Sequence, residues 1–334
     1  MRLFPLLMLV AAPVFGVAAT PEFKGSIERL DPALDQLIAP EAKIEVLASG
    51  FTWSEGPVWH EGGIVFSDVP KNIAYQWKEG DTAASTFLNP SGATKVLTDQ
   101  GSNGLVLDKK GQMILCQGGD RCVARLEKDG KFTHLAEEYK GRHFNSPNDV
   151  IVHSNGTLVF TDPPYGVPKG GRQELDFHGV FAVTASGKVL PLIKDVRFPN
   201  GLAFSPDEKT LYIAVSDPEK PRIIAYDFNE NAKTENGEAI PAVSGERLFY
   251  DAKPLVGPTR KGLPDGMKVD TNGNVWSTGP GGVLVFTKEG KLLGSILTGQ
   301  PTGNCAFGGD GSDIYITANM FLLRVKTKAK GMGF

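Results

Sequence analysis

The sequence is poor in the residues that many scaffolds and catalysts depend on. Three cysteines in 334 residues exclude a disulfide-framed fold. Five histidines leave little room for a His-rich metal site. No basic block stands out among 35 Lys and Arg set against 38 Asp and Glu, so nucleic acid is not an expected partner. No G-x-S-x-G occurs, which removes the nucleophile elbow of the α/β-hydrolases. His60-Glu61 lacks the second His of H-E-x-x-H, which removes the zincin reading. Asp270-Thr271-Asn272-Gly273-Asn274 opens like an EF-hand loop, but Val275 stands where the sixth-position Gly belongs, so it reads as a turn between strands. Beyond the first 19 residues no apolar run is long enough to cross a bilayer.

What the chain does have is a core and many turns. Hydrophobic residues make up 41% and charged residues 22%, a globular balance. The 40 Gly and 23 Pro are scattered without a short period, which excludes collagen and marks turns. The length admits two ordinary domains or one large β fold.

Residues 1–19, MRLFPLLMLVAAPVFGVAA, read as a signal peptide. Arg2 supplies the positive end, Leu3 to Val10 the apolar stretch, and Val17-Ala18-Ala19 a peptidase site. No Cys sits there to carry a lipid anchor. The expected mature protein, residues 20–334, is exported, periplasmic or secreted, and has no membrane attachment. Loss of Arg2 takes the net charge from −3 to −3 − 1 = −4. In an oxidising compartment Cys116 and Cys122, which flank a short turn, form either a disulfide or two small buried thiols. Cys305 reads as a core residue.

One phrase recurs six times: an oxygen-bearing residue, often Gly next, a short apolar run, a turn, and a β-rich run. The copies begin at Glu55, Asn103, Asn148, Asn200, Asp265 and Asn304, separated by 48, 45, 52, 65 and 39 residues. The second copy predicts four strands, at 104–108, 112–117, 122–126 and 131–136. Four antiparallel strands in about 45 residues make a propeller blade, so the fold class is all-β, a single six-bladed β-propeller. After Asn304 only three strands remain. The run KIEVLA at 43–48 has no blade of its own and is predicted to close the ring. Residues 32–40 predict a short lead-in helix or turn.

The first strand of each blade lines the central channel, so the six opening residues converge on one axis. All six carry side-chain oxygens. Hard oxygen donors suit a hard cation such as Ca2+, which takes 6–8 oxygens. Glu55 and Asp265 balance a divalent charge. Asn before Gly is also a common turn dipeptide that bonds its own backbone. Six in register argue against that reading for all of them, though some positions would meet only water or substrate. Trp53, Trp59 and Trp276 are expected between blades. Tyr165 and Phe177 either wall a pocket or pack within blades. His143 and His178 read as surface or hydrogen-bonded histidines.

The phrases SEGPVW at 54–59, NSPNDVIV at 145–152, FTDPPYG at 160–166, FPNGLAFSPD at 198–207 and LPDGMKVD at 263–270 resemble the gluconolactonase/SMP-30/luciferin-regenerating-enzyme family over nearly the whole mature chain. The resemblance implies a six-bladed propeller, a central divalent metal, usually Ca2+ with Zn2+, Mg2+ or Mn2+ as alternatives, and hydrolysis of a small-molecule sugar lactone. It places the metal on Glu55, Asn148, Asn200 and Asp265. Asn103 is then a substrate or water contact and Asn304 structural. The family's animal members carry a substrate-contacting Arg two residues before the Asn148 position. Here that residue is Ser146, and Arg142 is the candidate to substitute, with Tyr165 beside the substrate.

The mechanism expected from that set is attack of water on a metal-polarised carbonyl, with Asp265 either accepting the proton or acting only as a ligand. Two other functions fit the same residues. One is a related arylesterase or phosphotriesterase. The other is a non-catalytic ligand-binding propeller.

Overall fold

A computed structural model describes residues 25–95, 100–167, 171 and 173–334. The signal segment 1–19 lies outside the described residues. Six antiparallel sheets follow one another around a ring. Blade 1 comprises Ser54–His60, Gly63–Asp68, Ile73–Lys78 and Ser85–Leu88. Blade 2 comprises Ser102–Leu107, Met113–Gln117, Cys122–Leu126 and Phe132–Ala136. Blade 3 comprises Val150–Val152, Leu158–Asp162, Gly179–Val183 and Val189–Ile193. In blade 4, Pro199–Phe204 and Thr210–Val215 precede a long hairpin, Arg222–Lys233 and Ala239–Asp251, which accounts for the widest repeat spacing. Blade 5 comprises Met267–Val269, Val275–Gly279, Gly282–Phe286 and Leu292–Leu297. Among the described residues no helix is long and apolar enough to cross a membrane.

Blade 6 confirms the predicted closure. Asn304–Gly308, Asp313–Ala318 and Phe321–Lys326 are completed by Ile44–Ser49 from the N-terminal side, with Ile44 opposite Val325 and Ser49 opposite Phe321. A short 3-10 helix, Pro32–Gln36, leads in, with Asp31 accepting from Ala33 N. The strand Ser26–Arg29 adds a fifth strand to blade 5 beside Leu292–Leu297. The run SIER has no alternation to announce it. Its place is fixed from outside, by the Arg260 guanidinium on Glu28 at 2.6 and 2.7 Å.

The core is divided like the ring. Each hydrophobic cluster of the described residues lies between two neighbouring blades: Phe66 and Trp77 face Tyr315 between blades 1 and 6, and Trp276 meets Phe307 between blades 5 and 6. Trp59 stacks on Tyr315 at 5.6 Å. With both faces covered, strands such as Gly282–Phe286 are buried throughout and read as unbroken apolar runs. The Asp270–Asn274 stretch is a turn. Asp270 accepts from the Asn272 and Asn274 amides and from Trp276 Nε1.

All three cysteines are free and buried, so the disulfide alternative fails. The register explains why. Cys116 stands opposite Val123 and Cys122 opposite Gln117, so the two thiols point to opposite faces of the sheet. Burial first, then nearby carboxylates, raises all three, Cys122 and Cys305 to about 12. We expect three thiols to react with a thiol reagent only after denaturation. Reaction of any in the native protein would contradict this packing.

Candidate active site

The opening strands bulge where they meet the axis. In blade 1 Glu55 pairs with Ser67 and Val58 with Val65, leaving one extra residue. Blades 2 and 4 repeat this at Ser102/Leu105 and Pro199/Leu202. In blade 3 Asn148 N donates to Thr161 O while Thr161 N donates to Asp149 O, so two residues oppose one. Blade 5 does the same with Asp265 and Gly266 across from Thr278. A bulge re-aims a side chain. Here it turns Glu55, Asn103, Asn148, Asn200 and Asp265 together into the floor of one cavity of about 520 Å3, and all five line it.

The sixth copy opens at Asn304, which the resemblance made structural, and here the register differs by one residue. Gly303 N donates to Thr317 O as Asn148 N does to Thr161 O, and Gly303 O accepts from Gly266 N as Asp265 O does from Gly201 N. Gly303 therefore holds the floor position in blade 6. A Cβ there would sit 2.3 Å from Glu55 Oε1, so the glycine makes room for that carboxylate. Asn304 belongs to the layer beneath, with Gly56, Gly104, Asp149, Gly201 and Gly266. Its Nδ2 donates to Asp149 Oδ2 at 3.3 Å.

Loops in front of these strands are pinned by a carboxylate at the end of the second strand. Asp68 accepts from the Thr52 and Trp53 amides, and Asp162 from the Asn145 and Ser146 amides. Burial pushes Asp162 up to about 7 against the pull of those two amides. Asp68 thereby delivers Trp53 to the cavity, where its Nε1 donates to Glu55 Oε1 at 3.2 Å. Trp53 was expected between blades; it is instead a floor-side partner.

Three buried carboxylates share the axis. Burial, together with the charge of Asp149, pushes Glu55 up to about 7, against the Gly56 amide and Trp53 that hold its charged form. Burial, then the charges of Glu55 and Asp149, holds Asp265 well above the usual range. Asp149 is raised by burial, with Lys268 opposing. A floor that makes its own acids this hard to ionise favours a compensating positive charge. Two amide oxygens agree: Asn103 Oδ1 and Asn200 Oδ1 are buried without a hydrogen-bond partner. Asn200 Nδ2 is committed to Ser216 Oγ at 2.9 Å, which leaves its oxygen as the spare donor atom. No three His, Cys, Asp or Glu side chains among the described residues stand together as a metal cluster. The set is two lining carboxylates with amide oxygens, the chemistry of a hard divalent cation.

Other expected residues fall into two groups. Tyr165 lines the cavity, stacked on Phe198 with centroids 6.0 Å apart. His178 Nδ1 accepts the Phe198 amide at 3.2 Å and so supports that wall. Arg142 is not brought to the cavity. It sits on a small ribbon, Glu138–Tyr139 with Arg142–His143, beside Gln173, Glu174 and Asp176. Ser146 is buried against Gly166, where a Cβ would lie 2.3 Å from its hydroxyl. Phe177 packs on Phe181. Asp149 has a signal in the sequence: Asn148 is followed by Asp where four of the other five copies have Gly.

Comparison with known proteins matches this architecture. The family model for the SMP-30/gluconolactonase/LRE-like region covers residues 53–320. A gluconolactonase of Zymomonas mobilis subsp. mobilis is 35% identical over 320 residues, 92% of this chain and 87% of that protein. A solved gluconolactonase structure from Xanthomonas campestris superposes with a TM-score of 0.78 at 30% identity, covering 93% of this chain and 99% of that one. The regucalcin of Agrobacterium tumefaciens, described as a calcium-binding protein, has a TM-score of 0.67 at 19% identity, covers 87% of this chain and 95% of its own, and shows the shared fold.

Proposed function

The chain belongs to the SMP-30/gluconolactonase/LRE-like family, and from that premise we propose that it is a gluconolactonase-like lactone hydrolase, exported and dependent on a divalent cation. The observation that carries the reading is the floor itself: Glu55 and Asp265, buried and mutually repelling, beside the partnerless amide oxygens of Asn103 and Asn200. Glu55, Asn148, Asn200 and Asp265 are the residues that would hold the cation, with Ca2+ favoured by their all-oxygen chemistry. A bound divalent cation supplies Lewis acidity at a carbonyl oxygen.

The chain's own groups do the rest. The walls seat the lactone ring and exclude bulk water. Asp265 accepts a proton from the attacking water as its oxygen bonds to the carbonyl carbon, and returns a proton to the ring oxygen as the ester C–O bond breaks. The product is a hydroxy acid. Asn103 offers Oδ1 to water or to a substrate hydroxyl. The segment 1–19 supports export, and the substrate is a small molecule.

The test is ring opening of glucono-δ-lactone by the purified protein, followed by acid release. Turnover should fall at least about 100-fold with chelator and return with Ca2+, with Zn2+, Mg2+ and Mn2+ as parallel additions. Full activity in chelator would overturn the cation. Absence of lactone opening under every condition would overturn the reaction.

A further inference from the structure

We propose that the cavity accepts lactones bearing an apolar substituent, alkyl or aryl, with the ester on the polar floor and the substituent against Trp53, Tyr165, Phe198 and Leu263. The inference rests on the reading of the chain as a lactone hydrolase and extends it to a substrate class.

A hexonolactone has about a dozen non-hydrogen atoms. At no more than the ~30 Å3 that a liquid water occupies, they fill about 360 Å3. The cavity holds about 520 Å3, within the range of sites that take larger ligands.

Above the floor, Val69, Pro70, Phe198, Leu263 and Pro301 present carbon. The Ser216 and Thr302 hydroxyls beside them are already engaged. Ser216 Oγ donates to Pro264 O at 2.5 Å and accepts from Asn200. Thr302 Oγ1 shares a 2.7 Å bond with Thr298 Oγ1. A sugar hydroxyl pressed on the carbon of Val69, Pro70, Phe198, Leu263 or Pro301 would lose water without gaining a partner, a costly exchange. A methylene would lose nothing and bury apolar area.

The wall is held in place at some conformational cost. Phe198 has φ 53, the left-handed region that a bulky residue rarely adopts. His178 Nδ1 accepting its amide and Ser216 N donating to its carbonyl hold it there. The result is a flat aromatic face, Tyr165 and Phe198 inclined by only 14°, with Tyr165 still 43% exposed.

The experiment is a kinetic series of δ-lactones with unbranched side chains, from δ-valerolactone to δ-decalactone, beside glucono-δ-lactone. We expect kcat/KM to rise about two- to fourfold per methylene over the first few, mostly through KM. Tyr165→Ser, at an exposed position, and Leu263→Ser should each flatten that slope. A flat profile in the wild-type chain, with lactones still opened, would overturn the proposal. If no lactone is opened at all, the reaction reading fails separately, and the same side chains on δ-lactams decide the wall by calorimetry. A Kd falling with chain length upholds it, and an unchanged Kd overturns it.

Discussion

Asp265→Asn is expected to abolish lactone turnover and, in chelator, to raise the melting temperature. The two effects have one cause. Burial and the charges of Glu55 and Asp149 hold the Asp265 carboxyl well above its usual pKa in the folded chain. A carboxyl raised in this way stabilises the folded state while protonated. That contribution is lost as pH rises from the unfolded value through the folded one. At pH 7.5 without a cation, ionising Asp265 favours unfolding, and the Asn variant escapes that cost. The gain should be about 2 °C for each kcal/mol of repulsion relieved. With saturating Ca2+ the order should reverse. At 100 times its Kd, a ligand that binds only the folded state adds about 2.7 kcal/mol, and the variant, missing a charged ligand, should lose most of that. Turnover should fall by about 10^3 or more, since proton acceptor and charge disappear together. Scanning fluorimetry with and without Ca2+, alongside the lactone assay, reads all three. Near-normal turnover would remove Asp265 from the chemistry. A lower melting temperature in chelator would mean the carboxylate is stabilised rather than repelled.

Much of this was legible in the sequence because repetition carries its own register. Six copies of a strand-turn-strand phrase specify blades, and a strand surplus at one end with a deficit at the other specifies closure. The convergence of Glu55, Asn103, Asn148, Asn200 and Asp265 followed from their shared place in the repeat. The misreadings share a physical origin in registers one residue wide. In the sixth copy Gly303-Asn304 was aligned as though Asn304 matched Asn148. A slip of one residue in a strand moves a side chain to the other layer, and nothing local in TGNCAF says which residue bulges. An aromatic in a β protein usually packs, whereas the indole contact of Trp53 with Glu55 depends on the Asp68 clamp in another strand. Arg142 has the right charge and lies near in sequence, but the ribbon at 138–143 carries it to a different groove.

The glycines beneath the floor give the second large effect, because they decide how closely the blades meet. A Cβ at Gly201 would stand 2.1 Å from Asp265 O and 2.6 Å from Gly266 Cα. Both obstacles are backbone, so neither can rotate away. The same close approach lets Gly201 N donate to Asp265 O at 3.1 Å, and that bond sets blade 4 against blade 5 where both deliver floor residues. Gly201 has no left-handed φ, so alanine there is excluded by contact alone, not by backbone preference. Gly201→Ala must therefore part the two blades at the axis. We expect a loss of about 3 kcal/mol or more, the upper end of overpacking, and at least about 100-fold in turnover, because a displacement near 1 Å at Asp265 is enough for that. Gly257→Ala is the matched control, with open space around its Cβ and no positive φ, and should be neutral in both measurements. If Gly201→Ala melts and responds to Ca2+ like the wild type while Gly257→Ala does too, the close meeting of the blades at the axis, and with it the spacing of the floor oxygens, is wrong.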